Sequence, residues 1–308
     1  MKTTEKTFIR GKKNEKKYLF KMIQMEADFT LVPHGGLGNR IYAICSAIAY
    51  CSKKGKSLKI LWFKDHYLYC PVSELMSIDP RLTNVQMYDG RLSDFILRDN
   101  PRRKNFWIPQ FFQYFLFDRR IYFNEVYQES LSCRKPYFGG IDHYKHIFMV
   151  SYWKFWEEPD MWKSIVIAPQ ISQKVAEIVK SMDAYQRIIG IHIRRTDNIY
   201  SIKESPSDLF LQKIQEEIDL HKGNVCFYVA SDSLEEKKQL LARFGDQIIT
   251  SLKQTSRNKK EGIIDAFVEM NVLSQTDKIY ASFCSSFSDV AHLFSNNEFE
   301  VVSIRENI

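Results

Sequence analysis

The sequence predicts an α/β protein of two doubly wound halves, each a parallel sheet flanked by helices. Three observations carry that expectation. At 308 residues the chain exceeds one ordinary core, and two domains of roughly 150 residues are the default. From Arg187 to Ile304, short β-branched runs alternate with amphipathic helical patterns, as crossover helices between parallel strands require. Near the start, the apolar run Asp28–Pro33 leads through a glycine-rich turn into an apolar, small-residue helix pattern and a second strand-like run. That is the repeating unit of such a sheet.

Taken in order, Asp28–Pro33 reads as a strand, His34–Arg40 as the turn, Ile41–Cys51 as a helix and Ser57–Phe63 as the next strand. Glycine is scarce, 12 in all, yet Gly35, Gly36 and Gly38 crowd into this one turn. Tyr67–Ile78 reads as a short helix and Val85–Tyr88 as a strand. Asn105–Tyr127 is dense in aromatics at mixed spacing; the pattern assigns no element there and reads first as core, with a groove of sugar-stacking rings as the rival. The second half is regular. Helices are expected at Ile171–Met182, from Pro206 to His221, and at Ser233–Phe244, Gly262–Ser274 and Ser286–Phe294. Strands are expected at Arg187–Arg194, Val225–Ala230, Gln247–Ser251, Lys278–Ser282 and Glu300–Ile304, with a polar loop after Arg194. The halves meet near residues 155–170 with a cleft between them. This gives three segments: a basic leader (1–24), a first domain (25–160) and a second domain (161–308).

Composition removes several function classes. With 44% hydrophobic and 26% charged residues the chain is globular. The net charge of +7 is concentrated: the first 21 residues hold eight basic side chains against Glu5 and Glu15. A nucleic-acid binder spreads its basic residues over a folded face, so no nucleic-acid partner is expected. A solvated leader and a weak peripheral contact with an anionic membrane surface are the two readings of this tail. No apolar stretch is long enough to span a bilayer, and no secretory signal is seen. Cys45, Cys51, Cys70, Cys133, Cys226 and Cys284 form no C-x-x-C pair, which suits reduced thiols in the cytoplasm.

Ligands of such sheets bind beyond the carboxyl ends of the strands. Four polar clusters fall there: His34–Arg40, Arg194–Asp197, Ser231–Ser233 and Ser282–Ser288. The glycine-rich turn lacks both G-x-G-x-x-G and the Lys-Ser/Thr of a P-loop, so a dinucleotide or P-loop ATP site is a poor fit. It is either a tight turn only or a place where backbone N–H groups approach an anion or sugar. Arg194 either pairs with a carboxylate or clamps a phosphate through its planar fork. Ser285 and Ser286 are an ordinary helix cap or a phosphate-binding turn. No D-x-D occurs, so no diphosphate-carrying metal is signalled.

The pieces Gly36-Leu37-Gly38-Asn39-Arg40, His192-Ile193-Arg194-Arg195-Thr196-Asp197, Phe227–Asp232, Leu273-Ser274-Gln275-Thr276-Asp277 and Ser282-Phe283-Cys284-Ser285-Ser286 stand in one order and spacing. In these the chain resembles the GDP-fucose-dependent fucosyltransferases of the α1,6 and nodulation type, over roughly residues 28–60 and 187–295. The α1,2 and protein O-fucosyltransferases are a looser likeness.

The resemblance implies a GT-B fold of two Rossmann-like domains, acceptor-side first and donor-side second. It implies GDP-fucose as donor substrate, a glycan or oligosaccharide acceptor, and neither metal nor cofactor. By the same likeness Arg194 contacts the β-phosphate. His192 lies near the guanine, and Glu269 replaces the guanine-reading aspartate. Ser285 and Ser286 form the phosphate turn. Gly36, Gly38, Asn39, Arg195 and Asp197 are further donor-side expectations, and Asp232, at the acidic position after the Ala230-Ser231 step, is a catalytic candidate beside Arg194. The chain departs from the pattern at Asn198, where the α1,6 enzymes carry Lys. The nearest candidate for the catalytic base is Glu204, displaced by about two positions.

Overall fold

The computed structural model describes residues 27–98, 107–132, 140–196, 198–253, 256–295 and 300–305. The basic leader therefore lies outside the described residues. The chain divides into two compact units. The first takes the residues up to Lys64 together with Ile78–Ile165; the second takes Asp65–Ser77 and everything from Val166.

The first unit contains β1 (Phe29–Pro33), α1 (Leu37–Lys54), β2 (Leu58–Trp62), β3 (Val85–Asp89), α2 (Trp107–Leu116), β4 (Arg119–Ile121), α3 (Phe123–Ser132) and β5 (Ile147–Ser151). Its sheet runs β3-β2-β1-β5-β4, all parallel. Every residue of β1, β2 and β5 is buried, as expected of central strands covered on both faces. Val32, Leu61, Phe63, Leu97, Phe117 and Phe148 form the core on one side. α1 follows its strand because Ala, Ile and Cys let it lie close on the sheet, and Gly55 ends it in the left-handed conformation (φ 62°).

The second unit contains α4 (Pro169–Lys180), β6 (Arg187–Ile193), α5 (Ile199–Glu204), α6 (Ser207–Leu220), β7 (Val225–Ser231), α7 (Leu234–Phe244), β8 (Ile248–Ile249), α8 (Lys260–Leu273), β9 (Lys278–Ser282), α9 (Ser286–Leu293) and β10 (Val301–Ile304). The parallel sheet runs β8-β7-β6-β9-β10, so chain order reverses between β6 and β9. Ile189, Ile191, Phe227, Val229, Phe210 and Ile214 form its core. Gly190 in β6 serves close packing, since a Cβ there would sit 2.8 Å from Leu273 Cδ2 and 2.9 Å from Thr276 Oγ1 at the end of α8.

Three expectations need correction. Tyr67–Ile78 is not a helix: Pro71 adopts an extended conformation (φ −63°, ψ 143°) ahead of one 3-10 turn, Val72–Glu74, and a short strand, Met76–Ile78. Proline removes the N–H that a helix would need there. The loop after Arg194 contains a helix, α5, capped by the Asn198 side chain, which accepts from the Ser201 N–H. The aromatic segment divides instead of forming one core. Phe117 is buried, but Trp107, Phe111, Tyr114 and Phe115 are 65%, 55%, 65% and 46% exposed. α2 turns Gln113 inward, where its amide reaches the Ile96 carbonyl at 2.7 Å and accepts from the Tyr122 hydroxyl at 2.7 Å.

Candidate functional site

The reversal point of the second sheet lies between β6 and β9, and open α/β sheets bind ligands outside the carboxyl ends of strands at such points. Arg194 stands there. Its backbone N–H donates to Ser282 Oγ at 3.0 Å, tying the end of β6 to the end of β9. The chain after β9 then turns through Cys284, whose φ of 53° is rare for a non-glycine residue. α9 starts directly afterwards. Ser285 is its N-cap residue, but the side chain makes no capping bond; its hydroxyl faces His192 Nδ1 at 3.3 Å instead. The first-turn N–H groups of α9 thus point out of the same turn, where they favour an anion.

His192 is buried and stacks on Phe287, ring centroids 4.7 Å apart. Burial first, then the charge of Arg194, pushes its pKa down to about 3. At physiological pH the ring is therefore neutral.

Arg195 is placed differently from its neighbour. Its Nε donates to Glu236 Oε1 at 2.7 Å, its guanidinium also reaches Ser207 Oγ at 3.0 Å and the Arg194 carbonyl at 3.0 Å, and Ser207 donates to Glu236 at 2.5 Å. Asp232, at the end of β7, accepts from the backbone N–H of Arg195 at 2.7 Å and from the Thr196 hydroxyl at 2.6 Å. Both residues thus shape the loop after β6. The Asp232 carboxylate is thereby engaged in that loop.

Glu269 projects from α8 and is 4% exposed. Its Oε1 accepts from Lys237 Nζ on α7 at 2.5 Å. Burial raises its pKa to about 7 despite the pull of Lys237, with Asp265 and Asp232 adding to the rise. His192 and Glu269 both feel the charge of Asp232, which sets them around the carboxyl end of β7.

Glu204, at the end of α5, lies near the turn before α9: its charge helps to raise the Cys284 thiol, after burial and Asp289. α5 is bonded to that turn. Ser201 Oγ donates to the Phe283 carbonyl, Asn198 Nδ2 reaches the Cys284 carbonyl at 3.3 Å, and the Phe283 N–H donates to Ser205 Oγ at 2.8 Å.

The second unit therefore gathers His192, Arg194, Arg195, Glu204, Asp232, Ser285 and Ser286 at one sheet edge, with Glu269 behind it. Asp197 lies outside the described residues. Gly36, Gly38 and Asn39 belong to the first unit, beyond the carboxyl end of β1. Gly36 is the N-cap residue of α1 (φ −72°, ψ 174°), and Gly38 and Asn39 fall in its first turn. Gly35 carries the left-handed φ of 84° that this turn needs. Arg40 is wholly buried, donating to the Gly35 carbonyl at 2.9 Å and the Phe63 carbonyl at 2.7 Å, and it faces the Trp62 ring at 4.7 Å. It fixes the turn from inside.

Sequence reasoning missed Glu236 and Lys237. For Lys237 the signal was present: it stands three and four residues before Leu240 and Leu241, on the apolar stripe of α7, where a lysine needs a buried anion. Among the described residues no cluster of three or more His, Cys, Asp or Glu side chains could hold a metal ion, and no helix is long and apolar enough to cross a membrane.

No protein-family model matches the sequence, and no curated protein matches it in sequence. Solved structures do match. The chain is similar to NodZ α-1,6-fucosyltransferase co-crystallized with GDP, at 17% identity and a TM-score of 0.60, over 88% of this chain and 93% of that one. It is similar to fucosyltransferase NodZ from Bradyrhizobium at 16% identity and a TM-score of 0.58, over 88% and 94%. It is also similar to POFUT1 in complex with GDP, at 12% identity and a TM-score of 0.52, over 91% and 98%. At these identities the likeness is one of fold. It bears out the GT-B class, with two Rossmann-like units, that the sequence led us to expect.

Proposed function

We propose that this chain is an inverting glycosyltransferase that moves L-fucose from GDP-fucose to a glycan hydroxyl without a metal ion. One observation carries the reading. The guanidinium-bearing end of β6, the turn after β9 and the start of α9 converge at the reversal point, in a fold shared with fucosyltransferases solved with GDP.

In this reading the acceptor oxygen attacks C1 of the sugar opposite the diphosphate. The bond from C1 to the β-phosphate oxygen breaks, GDP leaves with the electron pair, and the hydroxyl proton passes to a carboxylate base. GDP-β-L-fucose gives an α-fucoside. Negative charge grows on the leaving diphosphate. Arg194 and the N–H groups at the start of α9 meet it as preorganised donors, the kind of group that contributes most to such catalysis. Neutral His192 and the Glu269 carboxylate contact the guanine. Asp232, Arg195 and Glu236 hold the loop that presents Arg194. Glu204 is the candidate base, with Asp197 in the same loop. Gly36, Gly38 and Asn39 serve the donor from the first unit, which also takes the acceptor. We place the reaction in the cytoplasm, with the basic leader as a peripheral contact to the inner membrane surface.

Asn198 favours a second reading. It caps α5 where the resemblance expects a lysine, which suits a GDP-binding module without turnover. One assay separates the readings: GDP-fucose, GDP-mannose and UDP-sugars offered to a glycan acceptor array in EDTA. Transfer of fucose with α configuration supports the transferase. Transfer from another nucleotide sugar alone replaces the donor. Tight GDP binding with no transfer to any acceptor supports the binding module.

A further inference from the structure

Lys237 is the one buried cation of α7, 1% exposed, on a helix whose other lysine, Lys238, faces outward. Its ammonium is held twice, by Glu269 Oε1 at 2.5 Å and by the Ser251 carbonyl after β8 at 3.1 Å. Three elements thus meet at one nitrogen. Among the described residues, Lys237 is the hydrogen-bond partner of Glu269, and it takes one carboxylate oxygen; Oε2 accepts from none of them. Burying such a pair is no route to stability in itself, because apolar residues of the same volume often do as well. The pair is explained if the carboxylate has work to do.

We propose that Lys237 is the positioning residue of the base-reading site: it fixes the Glu269 carboxylate in one rotamer as an anion, and so confers selection for a ligand edge with two adjacent N–H donors. The inference rests on the reading of Glu269 as the group that contacts guanine. A carboxylate accepts from both the ring N1–H and the exocyclic amine of guanine. A protonated carboxyl offers one acceptor and one donor, and mismatches that edge.

The surroundings of Glu269 would protonate it without the lysine. Burial, Asp265 on its own helix and Asp232 beyond β7 all raise its pKa, and Lys237 opposes them. Tyr228 of β7 is neutral beside it, its own pKa raised by burial and by Glu269 and Asp265. Since the Glu269 pKa stands at about 7, GDP affinity should rise between pH 6 and pH 8 as the anion forms. Removing Lys237 moves that rise to higher pH.

The test measures binding of GDP and of IDP, which lacks the exocyclic amine, by calorimetry at pH 6, 7 and 8. The parent should prefer GDP over IDP by roughly tenfold or more at pH 8, the scale of one hydrogen bond to a charged group. K237M should reduce the preference to about twofold and displace the pH dependence upward, while K237R restores both. E269Q is the control for the premise. If E269Q leaves the GDP/IDP ratio unchanged, Glu269 does not read the base and the inference falls with that reading. If E269Q abolishes the ratio but K237M keeps the parent's ratio and pH profile, the reading of Glu269 stands and the role of Lys237 is refuted. Should K237M fail to fold, K237Q, which keeps a polar group beside Glu269, replaces it: loss of the preference in K237Q with its retention in K237R supports the role, and the parent's ratio and pH profile in K237Q refute it.

Discussion

Arg194 and Arg195 are adjacent, and the structure gives them different bonding. Removing the Arg195 side chain deletes a pair in which Arg195 and Glu236 are 12% and 13% exposed. Among the described residues, Glu236 then keeps the Ser207 hydroxyl at 2.5 Å. Stripping one partner from a buried ion pair costs about 3–5 kcal/mol, and the residual exposure argues for the lower end. At about 2–4 °C per kcal/mol for a domain of this size, Arg195→Ala should lower the melting temperature by roughly 6–12 °C. Adding Glu236→Gln should recover part of that loss, because no orphan charge remains. Arg194→Ala deletes none of these bonds, and its backbone bond to Ser282 survives. It should lose about 10²–10³ in turnover, or ~3–4 kcal/mol of barrier, the scale of one lost donor to a developing anion. Arg194→Lys should rescue poorly, because a point charge replaces a fork. The assay pairs thermal melts with initial rates at saturating GDP-fucose. If Arg195→Ala melts with the parent but is inactive while Arg194→Ala turns over normally, the phosphate contact belongs to Arg195 and the site is wrong by one residue.

The folded His192 pKa of about 3 lies below its ordinary 6.5, so the unfolded chain binds a proton that the folded chain refuses. Stability should fall as pH drops through that window, by up to ~1.4 kcal/mol per unit, and His192→Gln should flatten the dependence; parallel curves from urea melts would refute the assignment. Trp107 is 65% exposed, so Trp107→Ala should leave the melting temperature within about 1 °C; a larger fall would show a packing role that its exposure does not suggest. A chain lacking residues 1–21 should turn over soluble acceptors within a factor of a few of the parent while losing retention on anionic vesicles. Equal vesicle retention would remove the membrane contact from the proposed function.

The second unit was legible because its strands are buried on both faces. Such strands read as apolar runs, as Val225–Ala230 does throughout and Ile188–Ile193 does apart from His192, and the polar residues after each run mark the ligand edge. Ser233 announced its helix through ordinary capping chemistry, its hydroxyl accepting from the Glu236 N–H. Much of the first unit was not legible. Its segment 78–98, like the stretch 65–77 of the second unit, is built from 3-10 turns and short strands, which leave no period to read. α5 escaped because its six residues, IYSIKE, are too few for a helical stripe, and tertiary bonds from its serines hold it. At the site, residue types were visible but pairings were not. Nothing in the order of the chain joins Arg195 to Glu236 or Lys237 to Glu269, since those contacts exist only once the sheet brings β6, α7 and α8 together.

The bonding of α5 to the turn before α9 bears on how this scaffold can be re-engineered. The two segments sit some 80 residues apart in the chain, yet Ser201, Ser205 and Asn198 lend their side chains to the backbone of residues 283–284. They behave as one removable part. A chimera that imports a foreign loop for residues 198–205 strips the turn of its supports, and a graft of the turn alone moves the Phe283 carbonyl and N–H that Ser201 and Ser205 meet. Loop exchange should therefore succeed when both stretches come from the same parent. The bracing groups are uncharged amide and hydroxyl groups, so high ionic strength can be used in screening such chimeras without loosening the joint.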